Sequence, residues 1–151
     1  MHHAKPENRE LVSASLKLLA MRDMSRAQFE QKLAAKQFSA DDIQTAVVWC
    51  EAEGWLNEVR YAEALARRLG HKYGATRIAQ TLKQKGVVDH IARQILASSR
   101  ESEISRANGV WSRKFATPPD SVESRVKQSR YLQARGFDFA VIRQVLAGRD
   151  A

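Results

Sequence analysis

"LKQKGVVDHIARQIL" runs from Leu82 to Leu96, and "LQARGFDFAVIRQVL" runs from Leu132 to Leu146. Laid over one another, both give a leucine, a base three positions on (Lys85, Arg135), a glycine (Gly86, Gly136) and an apolar residue (Val87, Phe137). A third copy, "LAAKQFSADDIQTAVVW", starts at Leu33 and carries Lys36, Gln37 and Phe38 at the same places. The leucines lie 49 and 50 positions apart, so one turn is written three times at nearly one period.

The physics of that turn is readable. A leucine near the end of a short helix buries against its neighbours, and a base in the last turn complements the negative end of the helix dipole. Glycine then takes the left-handed conformation that ends a helix, and the apolar residue after it folds back as the hydrophobic partner of the cap. Gln37 can take that conformation only less comfortably, because it has a Cβ.

A second helix follows each turn, opened by Ser39 with Asp41 and Asp42, by Asp89 or by Asp138, with apolar residues such as Ile91, Ile95 and Leu96 at helical spacing. A leading helix precedes each turn, over Leu11 to Met21, Arg60 to His71 and Ile104 to Phe115. The expected fold is therefore all-α, an elongated array of three tandem three-helix repeats over 11–57, 58–100 and 101–151, behind a mobile N-terminus at 1–10. "EGWLNE" (Glu53 to Glu58) joins the first two repeats. The tandem prolines of "ATPPDS" (Ala116 to Ser121) place a loop inside the third. No alternating strand pattern competes.

At 151 residues, 44% of them hydrophobic, with 7 Gly and 3 Pro, the chain has the composition of a folded protein. Its net charge of +8 favours an acidic partner, nucleic acid or an acidic protein surface. The excess is concentrated: from Arg60 to Arg93 eight basic residues face only Glu63 and Asp89. Cys50 is the only cysteine, which excludes an intramolecular disulfide and a cysteine metal cluster and suits a reduced compartment. With no apolar leader and no stretch of transmembrane length, a cytoplasmic protein is expected; separately, it is expected to be a monomer.

Chemistry finds little purchase. Neither a phosphate-binding loop of the Walker type nor a G-x-G-x-x-G run occurs. His2 and His3 sit at the terminus, and His71 and His90 lack partners at metal-ligand spacing. Cys50 beside Trp49 reads as helix-interior filler, and no triad or carboxylate pair emerges, so no catalytic, cofactor or metal residue is assigned. Trp49, Trp55 and Trp111 could stack on bases, but Trp49 and Trp111 fall among valines in helices and read as core. The basic tract carries the functional reading. Tyr61, Leu65 and Leu69 form an apolar stripe on one helix while Arg60, Arg67 and His71 gather on its far side, joined by Lys72, Arg77, Lys83 and Lys85 in the next segment. Such a tract repels itself unless a partner neutralises it.

Three phrases, "GWLNEVRYAEALARRL" (Gly54 to Leu69), "KYGATRIAQTLKQKGV" (Lys72 to Val87) and "VKQSRYLQARGFD" (Val126 to Asp138), with a weaker one at "RDMSRAQFEQKLAAK" (Arg22 to Lys36), resemble the RecX family of regulatory proteins. The likeness covers most of the chain. It departs from the family pattern at Ala75, where proline is common, at Ala79 and Thr81, where a base and an acid are usual, and at Asn57, where an acid is usual. The resemblance implies three three-helix repeats in a curved molecule that lies in the groove of the RecA filament on single-stranded DNA. It also implies no enzymatic activity, no cofactor, and inhibition of filament extension, strand exchange, ATP hydrolysis and coprotease activity. The family supplies no site list. The contact residues Arg60, Arg67, Lys72, Arg77, Lys83 and Lys85, extended by Lys127, Arg130 and Arg135, are read from charge and spacing. A direct DNA-binding helix-turn-helix module is the rival, although apolar residues stand where base-reading ones would be needed; weak direct DNA binding is compatible with filament binding. A generic helical adaptor would share the fold.

Overall fold

In the computed structural model, residues 4–148 are described, and among them lie nine α-helices and no strand. The first unit comprises α1 (Arg9–Met21), α2 (Arg26–Ala35) and α3 (Ala40–Ala52). The second comprises α4 (Glu58–Gly70), α5 (Ala75–Gln84) and α6 (Asp89–Glu101), and the third α7 (Glu103–Lys114), α8 (Val122–Ala134) and α9 (Phe139–Ala147). His2 and His3 lie outside the described residues; Pro6 is buried and the chain is helical from Arg9.

The repeated turn forms three times as a Schellman cap. The Val87 N–H donates to the Leu82 carbonyl and the Gly86 N–H to that of Lys83, both at 3.0 Å. Phe137 and Gly136 repeat the pair on Leu132 and Gln133, and Phe38 and Gln37 on Leu33 and Ala34. Gly86 and Gly136 have φ of 81° and 91°, and Gln37 is drawn to 70° as the one described non-glycine residue in that region. The leucines that anchor the caps, Leu33, Leu82 and Leu132, are fully buried at the centres of three separate cores. The first core gathers Leu11, Phe29, Val47 and Trp49, the second Leu65, Ile78, Ile91 and Ile95, the third Val110, Trp111, Ile142 and Leu146. Trp49 and Trp111 are core residues, as their neighbours in sequence indicate, and Trp55 packs edge-on against Trp49 at 5.1 Å. Cys50 is buried too, which pushes its thiol up to about 11 and leaves it protonated at neutral pH. The proline loop before α8 is held by Gln128, which donates to the Thr117 carbonyl and accepts from the Trp111 indole at 2.7 Å.

Close helix pairs lie within units, apart from α6 against α7, so the units are joined mainly through helix ends. The joint is made twice on one plan. An α-helix starts with N–H groups that have no partner inside it. Glu58, the first residue of α4, accepts from the Arg26 N–H at the start of α2 at 2.8 Å and from the Val88 N–H at the start of α6 at 3.3 Å. Glu103, the first residue of α7, accepts from the Ala75 N–H at the start of α5 at 3.1 Å. The repeated turn closes each joint from the other side. The Ser25 hydroxyl donates to the Lys85 carbonyl at 2.6 Å, and the Gly74 N–H donates to the Arg135 carbonyl at 2.8 Å. Val88, not Asp89, thus occupies the cap position of α6, and the cap itself comes from Glu58 in a different helix.

Arginines complete the joints. Arg60 forks onto Asp23 at 2.8 to 3.2 Å and also donates to the carbonyls of Gly54 and Trp55. Arg106 donates to the carbonyls of Gly70, Tyr73 and Ser99 and to the Ser102 hydroxyl. Burial pulls its guanidinium below the ordinary arginine value, and the nearby Glu103 carboxylate pushes back.

Two stability outcomes follow from the caps and joints. Gln37→Gly relieves a left-handed side chain and should raise the free energy of urea unfolding by about 0.5–1 kcal/mol, whereas Gly136→Ala meets both a positive φ and the Arg77 backbone at 2.8 Å and should cost more than about 1–2 kcal/mol. Glu103→Ala, at 2% exposure, strands a buried N–H and removes the neutraliser of Arg106. Urea unfolding should show a loss of about 2–3 kcal/mol, larger than for the half-buried Glu58→Ala.

Candidate functional site

The joint between the second and third units sets two tyrosines beside a row of cations. Tyr73 sits in the turn after α4, its N–H donating to the Leu69 carbonyl at 2.9 Å, and Tyr131 lies in the last turn of α8. Arg77 belongs to the first turn of α5, one helical turn beyond Tyr73, and its guanidinium carbon lies 4.6 Å from the centre of the Tyr73 ring. Arg135, the C-cap of α8, is brought across by the Gly74 to Arg135 hydrogen bond, 5.7 Å from the centre of Tyr73 and 5.0 Å from that of Tyr131. Lys114, the last residue of α7, stands 5.5 Å from the centre of Tyr131, which packs nearly perpendicular to Phe115. The order is Arg77, Tyr73, Arg135, Tyr131, Lys114, an alternation of cation and ring. Each contact draws on the negative face of the aromatic quadrupole.

A groove of about 310 Å³ runs along this ladder, lined by Lys72, Tyr73, Val110, Arg113, Lys114, Tyr131 and Arg135, with no carboxylate in its wall. Arg113 is tied to the His71 carbonyl. A guanidinium stacked on a ring spends its flat face and keeps its in-plane N–H groups. Among the described residues, the side chains of Lys72, Arg77, Lys114 and Arg135 make no hydrogen bond or ion pair with the protein. The groove therefore presents positive charge with no carboxylate in its wall to offset it.

The nine residues expected from charge and spacing are distributed over the molecule. Lys72 and Arg135 line the groove, and Arg77 stands at the end of the ladder beside it. Lys127 and Arg130 are exposed on α8, in a shallower depression with Val122 and Val126. Arg67 lines a separate cleft of about 800 Å³ between α4 and α6, together with Glu63, Ser98 and Arg106. Lys83 and Lys85 are exposed at the end of α5, near the joint with the first unit. Arg60 is committed to Asp23. Sequence reasoning missed Tyr73, Tyr131, Arg113 and Lys114. The available signal was a base beside an aromatic in "KYGATR" and "RKFA", and a tyrosine four residues before Arg135 in "YLQAR". Among the described residues no group of three His, Cys, Asp or Glu side chains could hold a metal ion, and no helix is long and apolar enough to cross a membrane.

Residues 57–96 match the family model for the second three-helix domain of RecX, and residues 101–146 that for the third. The chain is similar to the regulatory protein RecX of Ralstonia nicotianae, at 37% identity over 93% of this chain and 89% of the relative. It is also similar to that of Herbaspirillum seropedicae, at 36% identity over 89% of this chain and 87% of the relative. Among solved structures, RecX from Lactobacillus salivarius shares the fold with a TM-score of 0.83, covering 93% of this chain and 95% of that one at 21% identity.

The ladder should be measurable as a coupling. In a double-mutant cycle of Tyr73→Leu with Arg77→Gln, followed by urea unfolding, the two changes should cost less together than the sum of the singles, by about 0.5–1 kcal/mol. A coupling of zero would mean that the stack carries no energy.

Proposed function

Because the chain belongs to the RecX family of regulatory proteins, we propose that it regulates the RecA recombinase by binding the RecA filament on single-stranded DNA. Bound there, it limits filament extension or promotes disassembly. It thereby lowers strand exchange, ATP hydrolysis and the coprotease activity that triggers the SOS response, with consequences for recombination and DNA repair. It does so as a cytoplasmic monomer without chemistry or cofactor of its own.

The observation that carries this reading is the carboxylate-free basic groove at a joint of a three-unit array. A filament of protein wound on a polyanion presents repeated negative charge along a groove, and an array of units in file offers a long surface to match it. The contacts assigned to the filament are Lys72, Arg77 and Arg135 at the second joint, Arg67, Lys83 and Lys85 toward the first unit, and Lys127 and Arg130 on α8. Arg60 supports them through its hold on Asp23.

The test is RecA's DNA-stimulated ATPase with purified protein. Inhibition should appear well below one molecule per RecA protomer, and the charge reversals Arg67→Glu, Arg77→Glu and Lys85→Glu together should raise the concentration needed at least tenfold while circular dichroism keeps its helical shape. Strong binding to naked DNA with no effect on preformed filaments would instead favour a plain DNA-binding module.

A further inference from the structure

The two joints differ in one respect that bears on what the groove is for. Both use a glutamate at a helix start and a carbonyl of the repeated turn. The residue before the α5 cap Gly74 is Tyr73, but the residue before the α2 cap Ser25 is Met24. Likewise the residue before the anchor Leu132 is Tyr131, but the one before Leu82 is Thr81. The first joint therefore closes without either ring, with Met24 buried in the first core. Joining units does not require the ladder, so the ladder at the second joint calls for another account.

We propose that the groove along Tyr73 and Tyr131 is a binding site for the phosphate backbone of a single nucleic-acid strand, with Arg77, Arg135, Lys114 and Lys72 as the contacting groups. Three features fit that ligand. The cations stand in a row, held at set places by the rings between them, which suits a polymer carrying one charge per repeat. Stacking fixes each guanidinium with its fork of N–H donors unspent, the arrangement that grips a phosphate through two oxygens. The wall contains no carboxylate to compete and no cluster of Asn or Gln to read base edges, so the site binds without regard to sequence. The tyrosine faces are already occupied by cations, so they position those cations and leave base stacking aside. The assignment deepens the filament reading above and rests on it for its setting.

The experiment is fluorescence anisotropy of a labelled oligothymidylate across a salt series, with the full chain. Arg77→Gln, Lys114→Gln and Arg135→Gln combined should weaken binding at least about tenfold and flatten the slope of log affinity against log salt by about 2, the share of three phosphates. A charge-matched control, Lys17→Gln, Lys32→Gln and Arg93→Gln, removes the same charge from exposed sites in α1, α2 and α6 and should change affinity less than about threefold. Should the first variant prove unfolded by circular dichroism, Lys72→Gln with Lys114→Gln leaves both arginines in place and should still lower the slope by about 1. Equal losses in the two triple variants would reduce the effect to net charge and overturn the site. Unchanged oligonucleotide affinity alongside lost RecA inhibition would assign the groove to an acidic protein surface, sinking the nucleic-acid assignment while the filament reading survives. Oligonucleotide binding through the ladder in a protein that leaves RecA untouched would uphold the site and sink the filament reading.

Discussion

A helix start has N–H groups that nothing inside the helix can satisfy, and at each joint of this molecule part of that demand is met from the neighbouring unit. Glu58 reaches across to the start of α2 and also closes the start of α6 in its own unit, and Glu103 reaches across to the start of α5. The carboxylates sit where the positive ends of helix dipoles favour them, so electrostatics and hydrogen bonding act in the same sense. Three small cores, each built on one leucine-anchored cap, would be marginal alone; the glutamates and the turns that dock beside them make a file of units into one structure.

The same constraint builds the site. Arg135 comes to Tyr73 because its own carbonyl accepts from the Gly74 N–H, which belongs to the joint and not to the ladder. The backbone bond fixes where the side chain can be, and two tyrosines one position before landmarks of the repeat turn that placement into a stack of fixed cations. At the first joint the corresponding bond is made by the Ser25 hydroxyl to the Lys85 carbonyl, and the positions of the two tyrosines are held by Met24 and Thr81, which offer no ring to stack on. One architecture thus gives a plain seam and a charged groove, according to two side chains.

What the sequence discloses follows from how local each feature is. The cap is written within six residues, so Leu82, Gly86 and Val87 announce it, and even the reluctant Gln37 takes the position its alignment assigns. The helices, the buried tryptophans and the interior Cys50 follow from periodicity over a few turns. The joints do not, because their partners lie 28 to 32 residues apart for the glutamates and 60 for Ser25 and Lys85. Periodicity also starts the leading helices at Arg60 and Ile104, late by two residues and by one, which leaves both glutamates outside as loop charges. Charge counting finds Lys72, Arg77 and Arg135 but gives Arg60 the same weight, since a count cannot see Asp23 across the joint. It passes over Arg113 and Lys114, which lie outside the basic tract and meet the groove only in three dimensions.

The two outer faces of the array differ from its inner joints. A docking turn must bring a residue without a Cβ against the neighbour: a Cβ on Gly86 would come within 2.5 Å of the Ala27 Cβ, and one on Gly136 within 2.6 Å of that of Arg77. The first unit carries Gln37 there, so its turn could not seat on a preceding unit even though its cap forms. At the other end, the helix that would receive a fourth turn is α8, three residues longer than α2 and α5 and preceded by the proline loop. Its start carries a capping box of Ser121 and Ser124, and Val122 stands exposed in the extra turn. A repeat that joins through its own termini needs both halves of the joint on each unit. The first unit's turn carries a Cβ at Gln37 where Gly86 and Gly136 have none, so its face differs from the two that dock.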